Sequence, residues 1–261
     1  ILGDDKTVVE GAQVGDIDIA MSSTSPLANM YADYYIYDAP YLFLSPQEVY
    51  AVAFNGEVGK KIRDGVEKIG LKGMPFWENG FRNLTNSRQA VASPADLSGM
   101  KIRTMENPMH IAFFKALGAN PTPMSWGELY TALQQGTVDA QENPYAMIDD
   151  GKFYEVQKYV SETGHVFSFE VLIANKAFVD GLPEALRDLV LKAAKDATEA
   201  QRKAMAEEEE SFKKKVTEAG MTANELTAEE KNPFVAATAE VYPQFADELG
   251  QDLMEIIKQV Q

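Results

Sequence analysis

The sequence contains no cysteine and only two histidines among its 261 residues. Without cysteine, disulfide scaffolds, thiolate zinc sites and cysteine nucleophiles are excluded. The two histidines, His110 and His165, leave little material for a metal site or a catalytic triad built on imidazole. No apolar run approaches the roughly 18 residues that a membrane-spanning helix needs, and no signal peptide is visible. These absences exclude several classes of protein but do not decide the cellular compartment.

The local motifs of common enzyme classes are missing as well. The sequence has no phosphate-binding glycine loop, no dinucleotide-binding fingerprint, no nucleophile elbow and no zinc-protease motif. An enzyme can still assemble its site from scattered residues. The absence therefore lowers the expectation of catalysis without removing it.

Basic residues are scarce. The sequence has 24 Lys and Arg residues and 40 Asp and Glu residues, which gives a formal net charge of −16. A protein of this charge repels nucleic acid and anionic membrane surfaces, so we expect neither as a partner. An anionic ligand would have to be held by local cations. The hydrophobic fraction of 45% is ordinary for a globular chain of this length, which can bury a sizeable core.

Strands and helices alternate in the middle of the chain. Extended segments at 101–104, 120–124 and 138–141 are separated by helical segments at 108–117 and 126–135. A glycine follows each helical segment directly, as is common at helix ends. The alternation predicts a small α/β unit with parallel strands.

A helix of unusual length is predicted over residues 183–219, where only the first position is a proline and no glycine occurs. At 1.5 Å per residue it would span roughly 50 Å, which is longer than one small domain is wide. The extended stretch 159–174 is too long for one short strand. We therefore expect two lobes, with the chain crossing between them at 159–174 and the long helix bracing both. Further helices are predicted at 227–249 and 251–260.

Polar side chains at predicted strand ends are the positive signal for binding. Arg82 and Arg103 would present paired guanidinium donors to a carboxylate from rigid positions. Asn143 can donate to a carboxylate and accept from a hydroxyl, and Trp126 could wall a pocket. Taken alone, surface ion pairs, core packing and a turn before Pro144 explain these residues at least as well.

Several segments together resemble the signature of DctP-type substrate-binding proteins, which serve tripartite ATP-independent periplasmic (TRAP) transporters. The segments that carry the resemblance are 79–82, 101–103, 118–124, 128–139, 141–144 and 153–159. The likeness covers essentially the whole chain, and 99–159 is its most specific part. It implies a two-lobed, periplasmic-binding-protein-like α/β fold, with crossing strands, a long helix bracing both lobes, and the ligand between them.

The resemblance also implies a binding site. It implies that Arg103 is the main carboxylate anchor and Arg82 a second binding arginine. It also implies that Asn143 is a binding asparagine and that the ring of Trp126 packs on the ligand. Glu106 and Ser23 fall at positions that tune specificity, and Asp5 falls at a position that approaches the polar tail of the ligand. No metal site, cofactor or catalytic residue is implied.

The expected lobes are residues 1–80 with 170–208 (lobe I) and residues 81–169 with 209–261 (lobe II). Family members usually begin with a strand–helix–strand unit ahead of the segment that starts at Leu2, and this unit is missing here. Because its loss would expose strand edges, we expect either an incomplete chain or a rebuilt lobe. Ala140 replaces a glycine that is common in the family, a small change that should be tolerated.

The function implied is that of a periplasmic solute receptor for a small organic acid. Its partners would be that acid and the small and large integral membrane subunits of a TRAP transporter, with the receptor itself a monomer. Small polar side chains near the expected pocket favour a sugar acid, such as a uronate or an aldonate, with a C4-dicarboxylate next. These side chains are Ser22, Ser23, Asn83, Thr85 and Asn86.

Two alternatives stay open. A two-lobed α/β enzyme, a lyase or an isomerase acting on a small acid, would need a base, for which His165 and Glu106 are the candidates. A receptor that presents its ligand to a sensor protein would have the same sequence features as one that serves a transporter.

Overall fold

Two β-sheets organise the protein. A computed structural model describes residues 2–247 and residue 249 of the chain. The strands are β1 (Ile19–Ser23), β2 (Leu71–Phe81), β3 (Asn83–Asn86), β4 (Lys101–Thr104), β5 (Asn120–Pro123), β6 (Ala140–Asn143), β7 (Tyr159–Glu162), β8 (Phe167–Asn175) and β9 (Thr222–Glu225). The helices are α1 (Asp5–Val14), α2 (Thr24–Leu27), α3 (Pro46–Val49), α4 (Glu57–Gly65), α5 (Pro108–Ala116), α6 (Trp126–Gln134), α7 (Tyr145–Asp150), α8 (Lys176–Gly181), α9 (Glu184–Glu218) and α10 (Ala228–Thr238). The helix predicted at 251–260 lies outside the described residues.

The first sheet has three antiparallel strands in the order β1-β8-β2. Alternate residues of β8 point into one core, in which Phe169 is fully buried. Its ring contacts those of Tyr37, Phe54, Phe76 and Phe167. Strand alternation therefore leaves the residues between them, Glu170 among them, on the opposite face of the sheet.

The second sheet has six strands in the order β5-β4-β6-β3-β7-β9. Strand β4 pairs in parallel with both β5 and β6, which confirms the predicted parallel α/β unit. The sheet as a whole is mixed, because β3 pairs antiparallel with β6 and β7. The strand predicted at 138–141 begins at Ala140 instead and ends at Asn143, so Asn143 belongs to the strand and not to a turn.

The chain crosses between the two sheets twice. Strand β2 ends in the first sheet and β3 begins in the second, with Arg82 alone between them. The predicted crossing at 159–174 is confirmed as two strands, β7 and β8, joined by residues 163–166. The backbone N–H of Arg82 donates to the carbonyl of Val166 over 2.9 Å, so the two crossings lie side by side.

The long helix α9 braces both sheets, as predicted. Near its middle, the indole of Trp77 on β2 donates to Thr198 over 2.9 Å, and Arg202 donates to the carbonyl of Phe76. Towards its C-terminal end, Phe212 and Val216 pack into the core beside α7. Among the described helices, none combines the length and the apolar character that crossing a membrane requires.

One tight backbone approach gives a first prediction. A Cβ atom on Gly59 of α4 would lie 1.7 Å from the carbonyl oxygen of Ala53, a backbone atom that cannot swing aside. We expect Gly59→Ala to lower the free energy of unfolding by about 1–3 kcal/mol, because the overpacked backbone must shift. Urea denaturation measures this. The matched control is Gly127→Ala in α6, where a Cβ meets nothing within 4 Å and should be neutral or stabilising. Equal losses in both variants would contradict the packing argument.

Candidate functional site

A narrow cleft lies where elements of the two sheets face each other, and four of the sequence-predicted residues line it. Asp5 begins α1 on the side of the first sheet. Arg103 on β4, Glu106 just beyond β4, and Trp126 at the start of α6 come from the second. The geometry therefore gathers two of the predicted acids, one guanidinium and one aromatic ring around the same space, which Asp4 and Lys6 also line.

Arg103 is a buried cation that no carboxylate of the described residues approaches within ion-pair distance. Only 3% of its surface is exposed, and its Nε donates to the carbonyl of Met124 over 3.0 Å. Within the described residues it forms no ion pair with any carboxylate. Burial lowers the pKa of Arg103 to about 10, against the opposing effect of nearby Glu142 and Asp5. A buried and unpaired guanidinium is costly unless an anion joins it, so this group is built to receive one.

Asp5 places a carboxyl group across the cleft from the Arg103 guanidinium. Burial raises the pKa of its carboxyl to about 6, although Arg103 works in the other direction. Asp5 also lies beside the backbone of Ser23 at the end of β1. At neutral pH it is an acceptor for hydroxyl or amine protons, so a ligand that reaches Asp5 should present donors there.

Glu106 and Trp126 frame the cleft from the second sheet. The backbone carbonyl of Glu106 accepts from the side-chain amide of Asn29 over 2.6 Å, which ties this loop to the segment after α2. The Trp126 ring packs edge-on against Phe153, with 5.3 Å between ring centroids, and is thereby held at the cleft wall.

Arg82 lies elsewhere, in a buried network. It is 1% exposed, forms an ion pair with Glu142, and donates from Nη2 to the Oδ1 of Asn143 over 3.0 Å. Its Nη1 donates to Ser168 Oγ over 3.1 Å. Asn143 is equally engaged, since its Nδ2 donates to Gln141 over 2.6 Å. The structure thus joins Arg82 to Asn143 but puts neither among the residues lining the cleft, and their ligand contacts stay predictions.

Glu142, which the sequence reasoning overlooked, is the centre of that network. Burial by itself would raise the pKa of Glu142, but Arg82, His165 and His110 outweigh it and hold the pKa well below its ordinary value. His165 Nε2 lies 3.0 Å from Glu142, and its Nδ1 lies 2.8 Å from Thr163 Oγ1. No local signal marks Glu142, because its partner Arg82 is 60 residues away in sequence.

The imidazoles do not form a catalytic centre. His165 is buried with both nitrogens engaged, and its ring stacks on Phe113. His110 meets Asp38 over 3.0 Å, and the hydroxyl of Ser25 donates to the same Asp38 oxygen. Asp38 stands between serine and histidine, so the histidine is not positioned to take the serine's proton as a general base would.

A larger cavity of about 650 Å³ lies apart from these residues. None of the seven predicted binding residues lines it, but Asn83, which we expected near the ligand pocket, lies in its wall and not in the cleft at Arg103. Its wall carries Glu162, Glu209 and Glu210, against Lys213 and Lys231. Lys213 is itself paired with Glu162. An acidic wall repels an organic anion, so the smaller cleft at Arg103 is the better candidate for one.

Comparison with known proteins gives a consistent family. A sequence model of DctP, described as bacterial extracellular solute-binding protein, family 7, matches residues 1–248. A solute-binding protein of Verminephrobacter eiseniae is 39% identical over 260 residues, covering 100% of this chain and 77% of that protein. The 2,3-diketo-L-gulonate-binding periplasmic protein YiaO of Escherichia coli is 37% identical over 263 residues, with 100% and 79% covered.

The fold comparison agrees with the sequence. The crystal structure of a TRAP periplasmic solute-binding protein from Polaromonas, bound to D-erythronate, superimposes with a TM-score of 0.93 at 39% identity. The match covers 99% of this chain and 84% of the other. These relatives are substrate-binding proteins of transporters and not enzymes.

Proposed function

This chain belongs to the DctP family of bacterial extracellular solute-binding proteins, and we propose that it binds a sugar acid at Arg103 and delivers it to a TRAP transporter. By its family it is a periplasmic binding protein of the TRAP type for small organic acids, and it is not an enzyme. The proposal concerns the identity of the acid, the residues that bind it and the partner that receives it.

The observation that carries the proposal is the buried guanidinium of Arg103, which no carboxylate of the described residues approaches within ion-pair distance. A carboxylate accepts two parallel N–H donors from a guanidinium, and such charge-assisted pairs are stronger than neutral hydrogen bonds. Trp126 would cover one face of the bound acid. We also propose Arg82 as a second binding arginine and Asn143 as a binding asparagine, since the two side chains are held together over 3.0 Å.

Two features favour a sugar acid over a simple dicarboxylate. The side of the cleft opposite Arg103 carries Asp5, whose carboxyl is suited to hydroxyl groups and unsuited to a second carboxylate. The relatives described above include one that is named for 2,3-diketo-L-gulonate and one that holds D-erythronate, and both ligands are hydroxylated acids. A C4-dicarboxylate is the second candidate.

Ligand binding would cause the two lobes to close. We propose lobes that follow the two sheets, residues 1–81 with 167–208 and residues 83–162 with 209–238, with the crossings at Arg82 and 163–166 as the hinge. The expected bounds at 80 and 170 move because residues 81 and 167–169 belong to strands of the first sheet. The expected second lobe ends earlier because Val241, Tyr242 and Phe245 pack into the first core. A ligand that bridges Arg103 and Asp5 has contacts to both sides only in the closed form, so it shifts the population towards that form. The membrane subunits of a TRAP transporter would recognise the closed monomer.

A thermal-shift screen tests the proposal directly. At a concentration 1,000 times its dissociation constant, a ligand adds about 4 kcal/mol to the free energy of unfolding, so the Tm should rise by several degrees. We expect D-erythronate and D-galactonate to raise the Tm more than succinate does. Chromatography of the recovered acid should show it unchanged. If none of the three acids raised the Tm, or if the protein consumed one of them, the proposed function would be wrong.

A further inference from the structure

The face of the first sheet that bears Ser23 also carries a carboxyl group that the family resemblance does not assign. Glu170 on β8 pairs in register with Ser23 of β1 on one side and with Trp77 of β2 on the other. It lies in the middle of the sheet, partly buried, on the face opposite the aromatic core. Asp5 is close enough for the two carboxyl groups to repel each other.

A chain of hydrogen bonds fixes Glu170 relative to the predicted site residues. Asn79 Nδ2 donates to Glu170 Oε1 over 3.0 Å and also approaches Ser168 Oγ at 3.4 Å. Ser168 in turn accepts from Arg82 over 3.1 Å. Glu170 is therefore positioned by the same network that holds Arg82 and Asn143, although its own second oxygen accepts no hydrogen bond from the described residues.

Ser23, the strand neighbour of Glu170, carries an independent sign of a ligand. Its side chain is 5% exposed, and its hydroxyl has no hydrogen-bond partner within the described residues. A buried polar group is rarely left unpaired, so such a group beside a ligand site points to a polar partner that the ligand supplies. Ser23 and Glu170 face each other across one strand pair, so one ligand group could satisfy both.

From this juxtaposition we infer that Glu170 is a specificity-determining residue: its free carboxyl oxygen and the Ser23 hydroxyl bind hydroxyl groups at the end of the sugar acid distant from Arg103. The inference rests on the proposed function, because it assumes that the carboxylate of the ligand is held at Arg103. It adds the residue by which the protein distinguishes a hydroxylated acid from a dicarboxylate.

The charge balance at Asp5 and Glu170 supports this reading. Burial, reinforced by the nearby Asp5 and opposed by Arg82, raises the pKa of Glu170 to about 8. Burial also raises the pKa of Asp5 to about 6. At neutral pH the two carboxyls together hold about one proton, so they can both donate to and accept from hydroxyl groups. The remaining negative charge disfavours a second ligand carboxylate at this end.

Two variants of Glu170 test the inference, with D-galactonate and succinate as probes in isothermal titration calorimetry. Glu170→Leu removes every polar atom and should weaken D-galactonate binding by about tenfold or more, the loss expected when hydroxyl groups lose their partner. Succinate, which has no hydroxyl groups, should lose less than about threefold. Glu170→Gln keeps a polar partner, so it should retain D-galactonate binding within about threefold of wild type.

The matched control is Glu78→Gln, which removes a buried acid from the neighbouring strand β2, where its partner is Tyr50. Its ratio of D-galactonate to succinate affinity should equal that of wild type. If wild type binds D-galactonate and Glu170→Leu binds it equally well, the role of Glu170 is wrong and the proposed function stands. Equal weakening of both acids by Glu170→Leu also refutes the inference, because that is a structural effect. If wild type binds neither acid, the proposed function fails, and the inference with it.

Discussion

Replacing Arg103 by alanine should abolish tight binding of the organic acid. Truncating one partner of a buried, hydrogen-bonded ion pair costs about 2–5 kcal/mol, so the dissociation constant should rise by a factor of about 30 to several thousand. Within the described residues no other guanidinium could take over, because Arg82 is committed to Glu142. Titration calorimetry with D-erythronate or D-galactonate measures the effect.

The same substitution should leave the unliganded protein folded. Arg103 forms no ion pair with the described residues, and its one hydrogen bond, to Met124, is to a backbone carbonyl. Removing a buried charge that lacks a partner relieves a desolvation cost. Against this relief, the substitution loses the attraction of nearby Glu142 and Asp5. We therefore expect the Tm of Arg103→Ala without ligand to lie close to that of wild type, while the rise on adding ligand disappears. Such a combination separates a binding role from a structural one.

Two further variants sharpen that experiment. Arg103→Lys keeps the charge but loses the paired donors, so its affinity should fall between wild type and Arg103→Ala. Arg88→Ala is the matched control, because Arg88 is half exposed and its ion pair with Asp139 lies at the surface. It should bind with wild-type affinity. Unchanged affinity in Arg103→Ala would show that another group anchors the acid.

Sequence patterns predicted those parts of the fold whose signals are local. The helix α9 is marked by a long absence of glycine, and the alternation that gives β4 to β6 is marked by glycines and prolines at the helix ends. In both cases the residues that determine the element lie within it. The crossing at 159–174 was also accessible, because its length alone excluded a single short strand.

The site was only partly accessible to the same reasoning. Arg103 could be singled out because it lies near the end of a short strand and within a specific signature, and the structure places it in the cleft. Arg82 carried an equally strong signal, yet whether an arginine meets a ligand or a buried glutamate depends on a contact across 60 residues. Glu142 and Glu170 carry no local sequence signal, since each meets its neighbours only when strands from different parts of the chain pair.

The buried pair of Arg82 and Glu142 should make a large contribution to stability. Glu142→Gln keeps the shape of the side chain but removes its charge, which leaves Arg82 buried without an ion-pair partner where the chain crosses between the sheets. Removing one partner of a buried pair costs about 3–5 kcal/mol, and urea denaturation at pH 7 should show a loss of this size. The control is Glu225→Gln, which breaks an exposed pair with Lys213 and should cost at most about 1 kcal/mol.

The pH dependence of that loss identifies its electrostatic origin. The Arg82 guanidinium and the His165 and His110 imidazoles hold the pKa of Glu142 well below the ordinary value of 4.5, against the effect of burial. A carboxyl whose pKa is depressed on folding contributes its full stability above the unfolded pKa and loses it as the pH falls towards the folded value. The stability difference between wild type and Glu142→Gln should therefore be largest at neutral pH and narrow steadily below about pH 4.5. A stability difference that stayed constant with pH would mean that the variant is destabilised by altered packing. The charge of Glu142 would then not stabilise the crossing between the sheets.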